Sequence, residues 1–127
     1  MVMRITKRYA PAYSRIYISD ASGGTPPDPT IMQPVMSTPT CVSVSVLMDQ
    51  DGPTTFTLGD FREVIPQRVP QQAPVFDGMI DTPEAHLVIS TAESVVFMDM
   101  PVRGKTTRVR IWTNHPTEPD EVIIGVE

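Results

Sequence analysis

From Cys41 to Met48 apolar and polar positions alternate: Val42, Val44, Val46 and Met48 fall on one side, Ser43, Ser45 and Leu47 on the other. A period of two belongs to an extended strand with a buried face, because successive side chains leave opposite faces of the backbone. The same period recurs at 14–19, where Ile16 and Ile18 alternate with Arg15, Tyr17 and Ser19, and at 107–113, where Val109 and Ile111 alternate with Arg108, Arg110 and Trp112. Residues 54–58, 75–80, 86–89 and 121–126 are shorter extended candidates, and 61–65 suits either a strand or a single helical turn. In 94–100 Val95 and Phe97 oppose Val96 and Met98, so both faces are bulky and a strand buried between layers is expected. No helical stripe, heptad or internal repeat runs through the chain.

Turn chemistry separates these segments. Asp49-Gln50-Asp51-Gly52-Pro53 predicts a hairpin joining 41–48 to 54–58. Gly23-Gly24 opens a segment that runs to Pro39 through Pro26, Pro27, Pro29 and Pro34. That length exceeds the usual connection. It predicts a surface loop packed through Ile31, Met32, Val35 and Met36, with a partner-binding flap as the alternative. A second proline-framed connector covers 66–74. Fourteen prolines in 127 residues interrupt helices and ladders alike, which favours strands joined by irregular loops. Roughly seven to nine short strands predict an all-β fold, a small antiparallel β-sandwich or partly open barrel with long proline-rich loops. The length suits a single domain over 1–127.

The formal net charge of -5 gives no electrostatic reason to expect direct nucleic-acid binding. Arg4, Lys7 and Arg8 read as a solvated arm without a following apolar stretch, so no secretory signal is predicted, and no run approaches the roughly 20 apolar residues of a membrane-spanning helix. A cytoplasmic protein with no membrane contact is the expectation. Cys41, the single cysteine, cannot form an intrachain disulfide.

The search for chemistry yields no catalytic residue, metal ligand or cofactor. His86 and His115 lie beside turns without HxH or HExxH spacing, and there is no CxxC. Asp49-Gln50-Asp51-Gly52 lacks the later ligands of a calcium loop and reads as a turn. Asp77, Asp81 and Asp99 would serve acid-base chemistry only if the fold brought them together. No GxSxG marks a serine nucleophile, and the valine beside Cys41 favours a buried thiol over an activated one. Ser22-Gly23-Gly24-Thr25 carries no Walker lysine. The chain is therefore expected not to be an enzyme, with a small hydrolase as the lesser alternative.

The segment Arg108-Val109-Arg110-Ile111-Trp112 offers something else. Arg108, Arg110 and Trp112 share one strand face, and Arg103 and Lys105 precede them in a turn. Arginine and tryptophan are favoured at protein interfaces, so these five residues form the candidate protein-binding site. The alternative sends Trp112 into the core and lays the arginine stems over apolar edges.

The same strand, preceded by Val95 to Gly104 and followed by Val122 to Val126, resembles the C-terminal organisation of the competence protein J family. Tyr13-Ser14-Arg15-Ile16-Tyr17 is similar to an early strand of such proteins. The resemblance covers the first strand and the final third of the chain. It implies a β-sandwich-like protein that binds and inhibits a nuclease, and it supplies no catalytic residues. A protein-binding module is thus the leading functional expectation, with a nuclease as the specific partner. A structural or accessory assembly subunit, self-associating as a homo-oligomer, is the alternative.

Overall fold

The computed structural model describes residues 4–28, 30, 31, 33–65 and 72–127. Ten strands are present among them: β1 (Arg4–Tyr9), β2 (Arg15–Asp20), β3 (Val35–Thr38), β4 (Cys41–Ser45), β5 (Thr54–Asp60), β6 (Phe76–Asp81), β7 (His86–Thr91), β8 (Val96–Pro101), β9 (Thr106–Thr113) and β10 (Glu121–Val126). One short helix, α1 (Phe61–Val64), follows β5 directly.

The strands form two five-stranded sheets, in the orders β1-β5-β10-β9-β6 and β3-β4-β2-β7-β8. Among the described residues no strand pairing joins the two into a barrel, and the fold is a sandwich. All pairings are antiparallel except β5 with β10, which run parallel at the centre of the first sheet. The alternating positions supply the core. Ile16, Ile18, Val42, Val44, Leu87 and Ile89 of one sheet meet Phe56, Leu58, Val109, Ile111, Val122 and Ile124 of the other, all buried.

The 41–48 and 54–58 segments do not form the expected hairpin. β4 lies in one sheet and β5 in the other, with a single 3-10 turn at Asp49–Asp51 between them. The Val46 N–H donates to the Ser14 carbonyl at 2.9 Å and the Leu47 N–H to the Pro119 carbonyl at 3.0 Å. These bonds lead the chain across the end of the sandwich. Turn residues mark a reversal, but they do not say which sheet receives the returning strand.

Nor are Arg4, Lys7 and Arg8 a solvated arm, for they belong to β1, paired with β5 from Arg4↔Gly59 to Tyr9↔Thr54. Tyr9 stacks on Phe97 of the opposite sheet with centroids 4.4 Å apart, and the Lys7 Nζ donates to the Phe97 carbonyl at 3.1 Å. An inward lysine thus spans the side of the sandwich where β1 and β8 meet. β8 is an edge strand, not a buried one. A register irregularity opposite Ile89/Ser90 accompanies two successive buried side chains, Phe97 and Met98, while Val96 stays 52% exposed.

The proline-rich segment packs against the sandwich. Pro27 is buried, the Thr25 N–H donates to Thr40 Oγ1 at 2.8 Å, and Arg15 Nη2 donates to the Gln33 carbonyl at 2.8 Å. Ile31 is 48% exposed, so it contributes little of the packing, and Val35 and Met36 belong to β3. Met32 and the 66–71 part of the second connector lie outside the described residues.

At the end of β2, Asp20 is buried and ties the next turn to β7. Its carboxylate accepts hydrogen bonds from Ser22 N–H at 2.9 Å, Ser22 Oγ at 2.5 Å, Glu84 N–H at 3.2 Å and His86 N–H at 3.4 Å. Burial opposes its charge, but the donors from Ser22, His86 and Glu84 outweigh it and hold the carboxyl below its ordinary pKa.

Candidate protein-binding face

β9 presents Thr107, Val109 and Ile111 to the core and Arg108, Arg110 and Trp112 to the outer face of its sheet. Its neighbour β6 places Asp77 across from Arg110 and Met79 across from Arg108. Arg108 clasps Asp77 through two hydrogen bonds of 2.9 Å, from Nε to Oδ1 and from Nη2 to Oδ2. Such a fork fixes both groups in one plane. The bonds from Arg108 keep the Asp77 carboxyl below its usual pKa range, and those bonds to Asp77 raise Arg108 in turn. Arg110 Nη2 donates to Glu127 Oε1 at 3.0 Å, and its guanidinium carbon lies 3.8 Å from the centroid of the Phe61 ring. Two arginines and two carboxylates therefore form one charge-balanced ladder.

Trp112 lies on this face but is only 3% exposed. It sits in a small second core with Val64 and Ile123, with Phe61 packed against it at a centroid distance of 6.1 Å. Its Nε1–H donates to the Gln72 carbonyl at 3.2 Å, while Gln72 Nε2 donates to the Thr113 carbonyl at 2.8 Å. Trp112 thus anchors α1 and Gln72 to the sheet. α1 comes this close because Gly125 of β10 lies beneath it. A Cβ at Gly125 would stand 2.9 Å from Val64 Cγ2 and 3.3 Å from Phe61 Cα. Gly125→Ala is expected to cost about 1–3 kcal/mol through overpacking. Urea unfolding checks this, and an unchanged midpoint would mean that α1 does not need the close approach.

The five sequence-predicted residues therefore differ in what they offer. The Arg103 side chain is 85% exposed and only 3.9 Å from Asp60, Lys105 is exposed beside it in the β8–β9 turn, and Arg108 is 42% exposed. Arg110, at 14%, is largely covered. Beneath Arg103 a cleft of about 330 Å³ is lined by Asp60, Met100, Val102, Thr107 and Val126. Sequence reading did not place Met79 or Phe61 here, nor pair Asp77 and Glu127 with the arginines. The alternation of Val75 to Ile80 puts Asp77 and Met79 on one face, but their position beside β9 follows only from the fold.

Elsewhere the polar groups serve the scaffold. His86 Nε2 contacts Asp99 Oδ2 at 2.6 Å across β7 and β8, and His115 Nδ1 accepts from the Thr117 and Glu118 N–H groups within its turn. Asp77 and Asp81 are on the first sheet and Asp99 on the second, so they do not converge. Burial pushes the Cys41 thiol up to about 11, well away from a thiolate at neutral pH. Among the described residues no three of His, Cys, Asp and Glu lie together as a metal-binding group, and no helix is long and apolar enough to cross a membrane.

This two-sheet arrangement is shared with a class of β-sandwich proteins that includes a nuclease inhibitor. The inhibitor is ComJ, described as the inhibitor of the DNA degrading activity of NucA, from Bacillus subtilis. Its structure matches 99% of this chain and 97% of its own, with a TM-score of 0.66 and 11% sequence identity. A protein described as crocagin biosynthetic gene J matches over 99% of this chain and 96% of its own, with a TM-score of 0.51 and 13% identity. At these identities the likeness is one of fold. The resemblance to the competence protein J family seen at 13–17 and in the final third thus extends, as architecture, over nearly the whole chain. No protein-family model and no curated protein sequence matches.

Proposed function

We propose that this chain is a non-catalytic protein-binding module of the cytoplasm whose partner is a nuclease, and that binding inhibits it. The observation that carries the reading is the near-complete sharing of fold with ComJ, an inhibitor of a DNA-degrading activity. Strand β9 and the turn before it support it: Arg108 is held by Asp77 and Glu127 on the same outer face as the buried Trp112, and Arg103 and Lys105 are exposed in the β8–β9 turn. Arg110 contributes through the rigidity of the ladder. With a net charge of -5 the chain is poorly suited to compete by holding DNA itself, so inhibition acts on the nuclease protein.

The test is degradation of plasmid DNA by a panel of purified nucleases, with and without the chain. Dose-dependent protection from one nuclease, with a complex of the two proteins on gel filtration, is expected. Arg103→Glu combined with Lys105→Glu should weaken that complex by about tenfold or more, because both side chains are exposed and their charge is reversed. Melting should stay near wild type. No protection across the panel would overturn nuclease inhibition, and equal inhibition by the folded double variant would move the contact surface elsewhere.

A further inference from the structure

The outer face of the second sheet carries a cleft of about 410 Å³, on the side of the sandwich away from the β9 face. Ile16, Ile18, Leu87 and Ile89 point into the core, so the alternate residues Tyr17, Ser19, Val88 and Ser90 point outward. Strand pairing assembles them into a floor. Ser19 stands between Cys41 of β4 and Val88 of β7, and Tyr17 stands beside Ser90. An outward sheet face is ordinarily wet, yet Ser19 is only 8% exposed and Cys41 3%, because the loop after β2 folds back beside them.

Hydrogen bonds fix both walls. The loop after β2 turns at Gly23, with φ of +98°, and is tied down where the Thr25 N–H donates to Thr40 Oγ1 at 2.8 Å and Thr38 Oγ1 donates to the Thr25 carbonyl at 2.7 Å. Gly24 approaches so closely that a Cβ there would stand 2.5 Å from the Thr40 carbonyl oxygen and 3.1 Å from Ser19 Cβ. Pro26 and Pro27 continue this wall. On the β8 side the turn is closed by Thr91, whose Oγ1 accepts from the Glu93 N–H at 3.2 Å and the Val95 N–H at 3.3 Å, and it brings Ala92, Ser94 and Val96 to the cleft. The cleft is therefore formed before any ligand arrives, as small-molecule sites usually are, and its volume falls within their range.

The lining selects its occupant by polarity. Its one charged side chain, Asp20, is fully buried and already faces N–H donors from Ser22, Glu84 and His86. A charged ligand would lose water here without gaining a counter-charge. Val88, Val96, Ala92 and the two prolines suit an apolar body. Among the described residues the hydroxyls of Tyr17, Ser19 and Ser90 have no hydrogen-bond partner, and Ser19 is more than nine-tenths buried. A covered hydroxyl gains from a partner that a ligand supplies. We propose that this cleft binds an uncharged small molecule with a compact apolar ring body and one hydroxyl or carbonyl edge, which meets Ser19. The site does not depend on the nuclease reading.

The probe is indan-2-ol, a rigid apolar bicycle with a single hydroxyl, titrated into the full chain while backbone amide shifts are followed by nuclear magnetic resonance. Saturable shifts are expected at Ser19, Val88 and Ser90, with a Kd on the order of 1 mM or tighter for a ligand of this size. The corresponding amine and carboxylate, both charged at neutral pH, should bind at least about tenfold more weakly. Ser19→Ala should weaken the alcohol about three- to tenfold and leave indane, which has no hydroxyl, unchanged. Ser90→Phe, at a half-buried position of the outer face, should fill the cleft and abolish binding while amide shifts away from it stay those of the wild type. Any of three results would overturn the proposal: no shifts at the floor, equal affinity for the charged compounds, or equal losses of the alcohol and indane in Ser19→Ala. Binding retained by folded Ser90→Phe would do the same.

Discussion

Trp112→Ala is expected to destabilise the fold by about 3–5 kcal/mol, the usual cost of deleting a buried aromatic. Trp112 is the largest member of the second core, and its loss leaves Phe61, Val64 and Ile123 around a void and the Gln72 carbonyl without its donor. A helix of four residues has no stability of its own, so α1 should detach once its floor is gone. For a domain of this size the change corresponds to a fall in Tm on the order of 10–20 °C. Calorimetry measures it, with Trp112→Phe as a variant that keeps most of the packing and should fall less. A drop of only about 1–2 °C for the alanine variant would contradict an anchoring role. Trp112→Ala is consequently a poor probe of the interface, because lost binding would follow from lost structure. Arg103 and Lys105 are the better positions.

The second large effect is expected at Asp20. Asp20→Asn keeps the shape but removes the charge, and turns an amide donor toward a site supplied with N–H donors from Ser22, Glu84 and His86. The expected loss at neutral pH is about 2–4 kcal/mol. The pH dependence has a definite sign. The native carboxyl has a depressed pKa, so its contribution is complete above the unfolded-state value and is lost as pH falls through the native one. The stability gap between wild type and Asp20→Asn should therefore be widest near pH 7 and shrink below about pH 4. Urea unfolding of both proteins at pH 7 and pH 3 measures the gap. A gap of equal size at the two values would show that the charge of Asp20 is not what holds the β2 turn to β7.

The parts of this fold legible in the sequence are those where one face is apolar and the other polar. Ile16 and Ile18, Val42 and Val44, and Val109 and Ile111 all enter the core as their period predicts. β1 escaped that reading because the middle of its inward face is Lys7, whose partner is a carbonyl 90 residues away. β3 is four residues long and lies inside the proline-rich segment, too short for a period to emerge. The arginine face was visible as three alternating residues, but its neutralising partners Asp77 and Glu127 come from β6 and the end of β10. Trp112 shows the limit most clearly. Periodicity assigns it to the outer face, where it is, but cannot reveal that α1 covers it.

The parallel pairing of β5 with β10 bears on how the sheet is assembled. β10 is the last strand in chain order, yet it is the middle strand of its sheet, between β5 and β9. Until residues 121–126 are in place, β1 with β5 and β6 with β9 are two detached ribbons, each with an uncovered inner border. Closing them requires contacts between distant parts of the chain, which is the slow step of predominantly nonlocal β topologies. During synthesis the first sheet cannot knit together before β10 leaves the ribosome. The half-made protein therefore exposes two strand borders, at β5 and β9, that the finished one conceals.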